Sequence, residues 1–179
     1  MQKTTQELLA TKRFRVVQHQ WTSPTGEPLQ RESIQHPGAV TIIPMLTSNS
    51  VCLIRNHRIA VDETLIELPA GTREPAEQPQ NTALRELQEE TGYRAGSMEP
   101  LADFYLSPGI LNERMFVFVA TDLSAGPTAL EPEEEIETLI TDWDDAIAMT
   151  IDGRIRDAKT IAALHLYDRR RRDTSDTRS

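Results

Sequence analysis

Short β-rich segments fill most of the first two-thirds of this 179-residue chain, and one clear helix interrupts them. Apolar runs and alternation predict strands over residues 14–21, 29–34, 40–46, 51–55, 65–68, 104–106, 115–120 and 136–140. Helical spacing of apolar residues predicts helices over residues 81–91, 142–149 and 156–169. Strands mixed irregularly with isolated helices favour an α+β fold over a regular βαβ alternation.

Composition and charge narrow the compartment and the partners. The chain has no apolar run long enough to cross a membrane, and its first residues lack the apolar core of a secretory signal. Its single cysteine, Cys52, excludes an intramolecular disulfide framework, so we expect a cytoplasmic protein. Nineteen basic against 28 acidic side chains give a net charge of −9, which predicts repulsion from nucleic acid and from anionic membranes.

The helix predicted over residues 81–91 carries three glutamates on one side. Glu86, Glu89 and Glu90 are spaced i, i+3 and i+4, and like charges at this spacing cost about 0.2–0.5 kcal/mol per pair. The last two also lie near the negative end of the helix dipole. Two hypotheses remain open: a solvated acidic face partly neutralised by Arg85, or a set of oxygen ligands for a hard divalent cation.

The ends of this helix and its apolar side are also predicted from sequence. Asn81 or Thr82 can cap the start, and Gly92 follows the helix where a left-handed residue is favoured. Leu84 and Leu87 are expected to face a core on the side away from the glutamates.

The residues around the helix favour the metal hypothesis. Gly71 is followed after five residues by Glu77, and after seven more by Arg85-Glu86-Leu87-Gln88-Glu89-Glu90-Thr91-Gly92-Tyr93. This arrangement resembles the Nudix box, the signature of hydrolases that act on nucleoside diphosphates linked to another moiety. The resemblance covers residues 12–167.

The resemblance implies a fold and a division of the chain. The fold is the Nudix α/β/α sandwich with a mixed β-sheet, plus a small N-terminal antiparallel β-sheet that aids formation of a homodimer. We therefore expect a flexible segment over residues 1–11, an N-terminal β-hairpin or dimerisation region over 12–36, a Nudix hydrolase domain over 37–168 and a disordered basic tail over 169–179.

The resemblance also implies a metal site. Glu86 and Glu90 match the principal metal-binding carboxylates, Glu89 matches an accessory one, and the main-chain carbonyl of Ala70 matches a further ligand. The implied cofactor is Mg²⁺, with Mn²⁺ as a substitute. Such an ion neutralises a pyrophosphate and positions a water for in-line attack.

Further residues have expected catalytic roles. Arg85 resembles the arginine that ties the box together through Glu77 and orients the carboxylates, including Glu89. Related enzymes place a glutamate that acts as the catalytic base on an acidic loop, two residues before an aliphatic strand position. Glu134 fits that pattern best, and Glu133 and Glu135 remain candidates for the same role.

The substrate is indicated by a loop beyond the box. Pro108 lies sixteen residues after Gly92 in a Ser-Pro-Gly loop that leads to Glu113. This offset resembles the ADP-ribose pyrophosphatase branch, whose members cleave ADP-ribose to AMP and ribose 5-phosphate and often accept other nucleoside diphosphate sugars. Pro108, Gly109 and Glu113 are therefore candidate substrate-binding residues, although Ser-Pro-Gly is also a common turn.

Two more substrate contacts are expected from the segments before the box. Arg55 and Arg58, followed by Glu67, resemble the basic strand end of the same branch, and paired arginines suit a diphosphate. Both arginines could equally be solvent-facing cations. Phe14 is the first candidate for stacking on adenine and Trp21 the second, with core or interface packing as the alternative for both.

Two other functions compete with ADP-ribose hydrolysis. The first is a broader nucleoside diphosphate sugar pyrophosphatase, acting for example on GDP-mannose or ADP-glucose. The second is a non-catalytic ADP-ribose sensor. Such sensors lose box carboxylates and carry a fused DNA-binding domain, whereas Glu86, Glu89 and Glu90 are all present here.

Overall fold

The computed structural model describes residues 3–130 and 135–176, which form ten strands and three helices. Of these three helices, none combines the length and apolar composition that a bilayer crossing requires. The elements in chain order are β1 Thr4–Ala10, β2 Arg15–Thr22, β3 Pro28–Gln35, β4 Ala39–Thr47, β5 Ser50–Arg58, β6 Glu63–Glu67, β7 Ala70–Thr72, α1 Pro79–Thr91, β8 Tyr93–Tyr105, β9 Arg114–Ala125, β10 Ile136–Asp142, α2 Trp143–Ile151 and α3 Ala158–Asp176.

The first three strands form a small antiparallel sheet in the order β1-β2-β3. The flexible segment expected over residues 1–11 is instead a strand over Thr4–Ala10, every residue of which is exposed. Pairing with β2 satisfies the backbone groups along one side of β1, so the strand forms although it has few apolar residues. Ile34 links this sheet to the rest of the chain, since its N–H donates to the carbonyl oxygen of Ile110 at 2.8 Å.

The remaining seven strands form one mixed sheet. Its order is β10-β5-β4-β9-β8, with β6 paired to β5 and β7 paired to β4. Strands β4 and β9 run parallel, and the other pairs are antiparallel. The predicted mixed sheet is therefore confirmed. Because β7 leads directly towards α1, the pairing of β7 with β4 fixes the start of the predicted box against the sheet.

Helices cover both faces of this sheet, which confirms the predicted α/β/α sandwich. On one face, Ala83 and Leu87 of α1 are buried among a cluster that includes Val40, Ile42 and Phe118. On the other face, α2 and α3 bury a second cluster. The prediction that Leu84 faces the core is wrong: it is 38% exposed, because Ala83 and Leu87 are the α1 residues that meet the sheet.

Helix α1 begins earlier than the sequence predicts. Gln78 is its N-cap and Pro79 its first residue, so neither Asn81 nor Thr82 caps it. Proline suits this position because its fixed φ matches the helix and its missing N–H is not needed there. The predicted left-handed end is confirmed at Gly92, with φ 74° and an N–H that donates to the carbonyl oxygen of Gln88.

Helix α3 continues through residues expected to be a disordered tail and reaches Asp176. The guanidinium of Arg171 lies 4.6 Å from the ring centre of Trp143 and donates to the carbonyl oxygen of Ser48 at 2.7 Å. Arg170 donates to Glu99 at 2.9 Å. Much of the basic run therefore attaches the last turns of α3 to the rest of the fold.

Candidate active site

The three glutamates of α1 border a cleft of about 460 Å³ between this helix, β7 and the loop before β2. Glu86 and Glu90 are only 8% and 3% exposed, and Glu89 is partly exposed. Burying carboxylates is costly unless they are paired or bind a cation. The hypothesis of a solvated acidic face therefore does not describe Glu86 and Glu90.

Arg85 holds three carboxylates at once. Its Nη1 donates to Glu86 Oε1 at 2.8 Å and to Glu89 Oε2 at 2.9 Å, and its Nη2 donates to Glu77 Oε2 at 3.3 Å. Burial acts to lower the pKa of Arg85, but the hydrogen bond to Glu77 and the charge of Glu86 raise that pKa overall. The contact between Arg85 and Glu77 that the box implies is present, and it limits the side-chain freedom of Glu86 and Glu89.

Two backbone features of β7 position the other carboxylate oxygens. The N–H of Ala70 donates to Glu90 Oε2 at 2.8 Å. At Gly71, a Cβ atom would lie 1.9 Å from Glu86 Cδ, so the Glu86 carboxylate fills the space of a side chain at position 71. Only glycine permits this approach. Strand β7 at the start of the box therefore packs closely against the glutamate side of helix α1.

The donor set fits a hard divalent cation. Three carboxylates and the backbone of Ala70 border one cleft, and oxygen ligands of this kind suit Mg²⁺ or Mn²⁺. In the described part of the chain, no three His, Cys, Asp or Glu side chains are yet grouped as an ion-binding cluster. Arg85 pairs with two of the three carboxylates, Glu86 and Glu89, in this arrangement. The fit of the site to a cation therefore rests on its oxygen donors and on the absence of a side chain at Gly71, which leaves space for the Glu86 carboxylate.

A charge network extends from Arg58, which lines the cleft, to Glu67, Lys159 and Asp157. Arg58 Nε donates to Glu67 Oε1 at 2.8 Å, and Arg58 Nη2 donates to Glu67 Oε2 at 2.6 Å. Lys159 donates to the same carboxylate and, at 2.9 Å, to Asp157. Burial acts to raise the pKa of Glu67, yet the hydrogen bond from Arg58 and the charge of Lys159 hold that pKa below its ordinary value. Arg58 is therefore fixed beside the cleft by a charged partner.

A second cavity of about 380 Å³ shares a wall with the cleft. Arg58 and residues 70–72 line both. Leu65, Leu106 and Met115 contribute apolar walls to the second cavity, and Glu113 lies at its edge. A substrate with two chemically different ends could therefore occupy the cleft and the second cavity together.

The other predicted substrate contacts lie outside this pair of cavities. Arg55 is exposed beside Glu137, and Phe14 is also exposed. Pro108 lines a separate cavity with His19 and Tyr105, and Gly109 has open space around it. The structure thus brings together the box residues, Arg58, Glu67 and Glu113. Within the single chain, the other predicted contacts lie away from them: Arg55, Phe14, Pro108 and Gly109.

The candidate bases fall mainly outside the described residues. Glu133 and Glu134 belong to residues 131–134, which lie between the two described ranges. Glu135 is exposed and immediately precedes β10. Ile136, the first residue of β10, pairs with Asn56, which lines the cleft. Strand β10, which follows Glu135 directly, therefore begins beside the cleft.

Several residues that line the cleft carry no sequence signal. Lys12 and Arg13 reach it from the turn before β2, Asn56 from β5 and Arg73 from the loop after β7. Arg73 Nη2 donates to the carbonyl oxygen of Glu77 at 2.6 Å. These residues belong to no recognisable motif, because strand pairing and the turn at residues 11–14 bring them together from separate parts of the sequence. Cys52 of β5 is buried, and burial raises the pKa of its thiol to about 12.

This fold and this carboxylate cleft define a known class. The family model described as "NUDIX domain" matches residues 35–164. The chain belongs to the Nudix family. The matched range contains the entire box. It also contains the residues that line the two cavities between the start of β4 and the first turns of α3.

Individual relatives give narrower names. The chain is 36% identical over 143 residues to an ADP-ribose pyrophosphatase of Bacillus subtilis (strain 168), and 37% identical over 143 residues to a methanol dehydrogenase activator of Bacillus methanolicus. Each match covers 79% of this chain and 77% of the relative. A GDP-mannose pyrophosphatase of Pectobacterium atrosepticum is 36% identical over 139 residues, covering 71% of this chain and 70% of the relative.

A solved structure agrees in fold. The crystal structure of an ADP compounds hydrolase superposes with a TM-score of 0.83 at 20% sequence identity, covering 96% of this chain and 93% of the other. The likeness extends over the small N-terminal sheet as well as the sandwich, because almost the whole chain is aligned.

Proposed function

We propose that this chain hydrolyses the pyrophosphate bond of ADP-ribose to AMP and ribose 5-phosphate with Mg²⁺, for which Mn²⁺ can substitute. The observation that carries the proposal is the single cleft in which buried Glu86 and Glu90 face the fixed cation Arg58. A relative named ADP-ribose pyrophosphatase supports the substrate class.

Four groups would hold the metal: the carboxylates of Glu86, Glu89 and Glu90 and the backbone carbonyl of Ala70. When bound, the ion neutralises the diphosphate and stabilises charge at the phosphorus under attack. Arg85 orients Glu86 and Glu89 through its two Nη1 bonds. The N–H of Ala70 orients Glu90 in the same way.

Cations and a base complete the proposed site. Arg58 binds a phosphate oxygen with Nη1, because its other two nitrogens are used for Glu67. Lys12 and Arg13 add positive charge at the mouth of the cleft. A glutamate of the acidic segment, Glu134 or one of its neighbours, takes a proton from the attacking water; the entry of β10 beside Asn56 supports this role.

The assay is AMP release from ADP-ribose with Mg²⁺, with Mn²⁺ and with excess chelator. We expect turnover with either ion and none with chelator. GDP-mannose, UDP-glucose and ADP-glucose are measured beside ADP-ribose, which we expect to have the highest kcat/KM. Higher kcat/KM for another sugar nucleotide overturns the substrate, and no hydrolysis of any of them overturns the enzyme assignment in favour of an ADP-ribose sensor.

A broader sugar-nucleotide pyrophosphatase is the second candidate. The relative named GDP-mannose pyrophosphatase, at similar identity and coverage, favours it. The second cavity has apolar walls with charged groups at one side, which does not by itself select a base or a sugar. The same substrate panel separates the two candidates.

We also propose that the active form is a homodimer assembled through the N-terminal sheet. Strand β1 is exposed along its whole length, and Leu8 and Leu9 are 50% and 52% exposed. An exposed edge strand with apolar side chains is a ready pairing surface. Light scattering on the purified protein tests this: a mass near 20.2 kDa contradicts it, and twice that mass supports it.

A further inference from the structure

The first turn of α3 contacts the segment that leads into the box. Lys159 and Thr160 of that turn are buried, although both belong to a helix that starts far along the chain from the cleft. A buried lysine is uncommon unless its charge is paired. Here the pairing partners are Glu67, itself 1% exposed, and Asp157.

Asp157, the residue that precedes α3, caps this first turn of the helix. Its carboxylate Oδ2 accepts from the N–H of Thr160 at 3.0 Å, which is the bond of an N-cap residue. The same oxygen accepts from the Thr160 hydroxyl at 2.6 Å and from Lys159 Nζ at 2.9 Å. The cap thus fixes both Lys159 and Thr160 at the end of the helix that faces β6.

From this fixed turn, two contacts reach the segment between β6 and β7. The N–H of Leu68 donates to Thr160 Oγ1 at 2.8 Å, and Lys159 donates to Glu67. On its other side the segment is held by β4, since the N–H of Ile42 donates to the carbonyl oxygen of Pro69 at 2.9 Å. The chain entering Ala70 and Gly71 is therefore held from two directions.

Glu67 passes this constraint to Arg58. Its two oxygens accept from Arg58 Nε and Nη2, and Lys159 shares the second oxygen. Without the ammonium, the Glu67 carboxylate could rotate or draw towards solvent, because among the described residues the partly exposed Arg58 would be its remaining charged partner. Arg58, Glu67, Asp157 and Lys159 together carry no net charge, so removing Lys159 alone leaves the set with one uncompensated negative charge.

We propose that Lys159 is a positioning residue for substrate: it fixes Glu67, which in turn sets the Arg58 guanidinium against a diphosphate in the cleft. The proposal rests on the proposed function for the identity of that diphosphate. Lys159 itself borders the second cavity and does not line the carboxylate cleft. Its effect on the cleft therefore runs through Glu67 and Arg58.

The test is a double-mutant cycle with Lys159→Met and Arg58→Ala, measured with ADP-ribose and Mg²⁺. We expect Lys159→Met to raise KM about tenfold and to change kcat less than about twofold, because binding is lost equally in ground and transition states. In the Arg58→Ala background the same change should leave KM unaltered. An unchanged KM in the single variant, or an equal rise in both backgrounds, overturns the proposal.

A matched control separates positioning from general damage to this turn. Arg156 precedes the same helix and pairs with Glu63 at the start of β6, but both side chains are exposed. Arg156→Met should leave KM and kcat as in the parent protein. A KM rise equal to that of Lys159→Met would show that any disturbance of the turn suffices, and it would overturn the specific role of Lys159. If Lys159→Met does not fold, Lys159→Gln, which keeps a neutral donor, takes its place in the cycle.

A second readout does not depend on catalysis. The Arg58 Nε–H signal is observed by ¹⁵N NMR and assigned by its loss in Arg58→Ala. Because Nε donates to buried Glu67, this proton should exchange slowly with solvent, and Lys159→Met should speed its exchange while Arg156→Met should not. If the parent protein proves inactive on ADP-ribose, the proposed function fails, and this measurement still decides the positioning. Unchanged exchange in Lys159→Met overturns it.

Discussion

The carboxylate of Glu86 occupies the space above Gly71 that any other residue would fill with its side chain, since a Cβ there would lie 1.9 Å from Glu86 Cδ. Position 71 therefore determines where a buried carboxylate of α1 can stand. The glycine and the glutamate are fifteen positions apart in the box, and they form one unit of the site.

Gly71→Ala should damage both stability and activity. The added methyl displaces Glu86, which is held by Arg85 on its other side, and overpacking of this kind costs about 1–3 kcal/mol. Urea unfolding measures the loss of stability, and AMP release measures the loss of turnover. Gly109→Ala is the comparison for stability, because nothing lies within 4 Å of a Cβ at Gly109. Equal unfolding midpoints for the two variants would contradict the close approach.

Glu90→Gln should abolish most hydrolysis without unfolding the protein. The amide oxygen can still accept from the N–H of Ala70, whereas the negative charge needed for a metal is gone. We expect kcat/KM to fall at least about 100-fold. Glu99→Gln, an exposed partner of Arg170, should retain full activity. Parent-like turnover in Glu90→Gln would rule out the assigned metal site.

Arg85→Lys should lower kcat about 10- to 100-fold. An ammonium cannot span Glu77, Glu86 and Glu89 as the guanidinium does, so the two helix carboxylates lose their fixed orientation. Glu77→Gln removes only one of these contacts and should have a smaller effect. Steady-state kinetics across a Mg²⁺ titration distinguishes the cases, and the idea fails if Glu77→Gln is the more damaging change.

Acid should destabilise the fold partly through Glu67. Its pKa is lowered in the folded state, so the stability it contributes is present above its unfolded pKa, about 4.3, and is lost as the pH falls through the folded pKa. Glu67→Gln should be less stable at neutral pH and should flatten the acid slope by up to about 1.4 kcal/mol per pH unit. Urea midpoints from pH 7 down to pH 3 provide the comparison. An unchanged slope would assign the acid sensitivity elsewhere.

Arg171→Ala should lower the free energy of unfolding by about 1 kcal/mol. It removes the stacking on Trp143 and the hydrogen bond to the carbonyl of Ser48. Thermal unfolding should show a Tm lower by about 2–4 °C, with kcat/KM unchanged. Arg169→Ala is the matched control, because Arg169 pairs with Asp173 on its own helix and is largely exposed. The same Tm for both variants would mean that the basic run does not attach α3 to the fold.

Sequence predicts the parts of the site that lie close together in the chain. The spacing from Gly71 to Gly92 specifies helix α1, its left-handed end and the contact of Arg85 with Glu77, because one loop and one helix contain them all. Lys159 could not be found in this way. Its place beside Glu67 depends on where α3 packs, and that packing is determined by the far face of the sheet.

Two of the strands that sequence did not predict in full, β1 and β8, escaped prediction for local reasons. Strand β1 has few apolar residues and is stabilised by its pairing with β2. Strand β8 runs from Tyr93 to Tyr105, yet only its end was expected, since Pro100 is a poor strand residue. The register shifts between Pro100 and Ala102, and β8 lies at the edge of the sheet, where a proline is tolerated.

The parallel pairing of β4 with β9 has a consequence for biosynthesis. Ala39 stands opposite Met115, and the box lies between these two strands in the chain. Parallel neighbours so distant in sequence close a long loop before they gain contacts, which makes their association slow. A nascent polypeptide therefore cannot complete the sheet beneath the box until translation has passed β9. Until then helix α1 can pack on Val40 and Ile42 of β4, but Phe118 of β9 does not yet cover the rest of its apolar side.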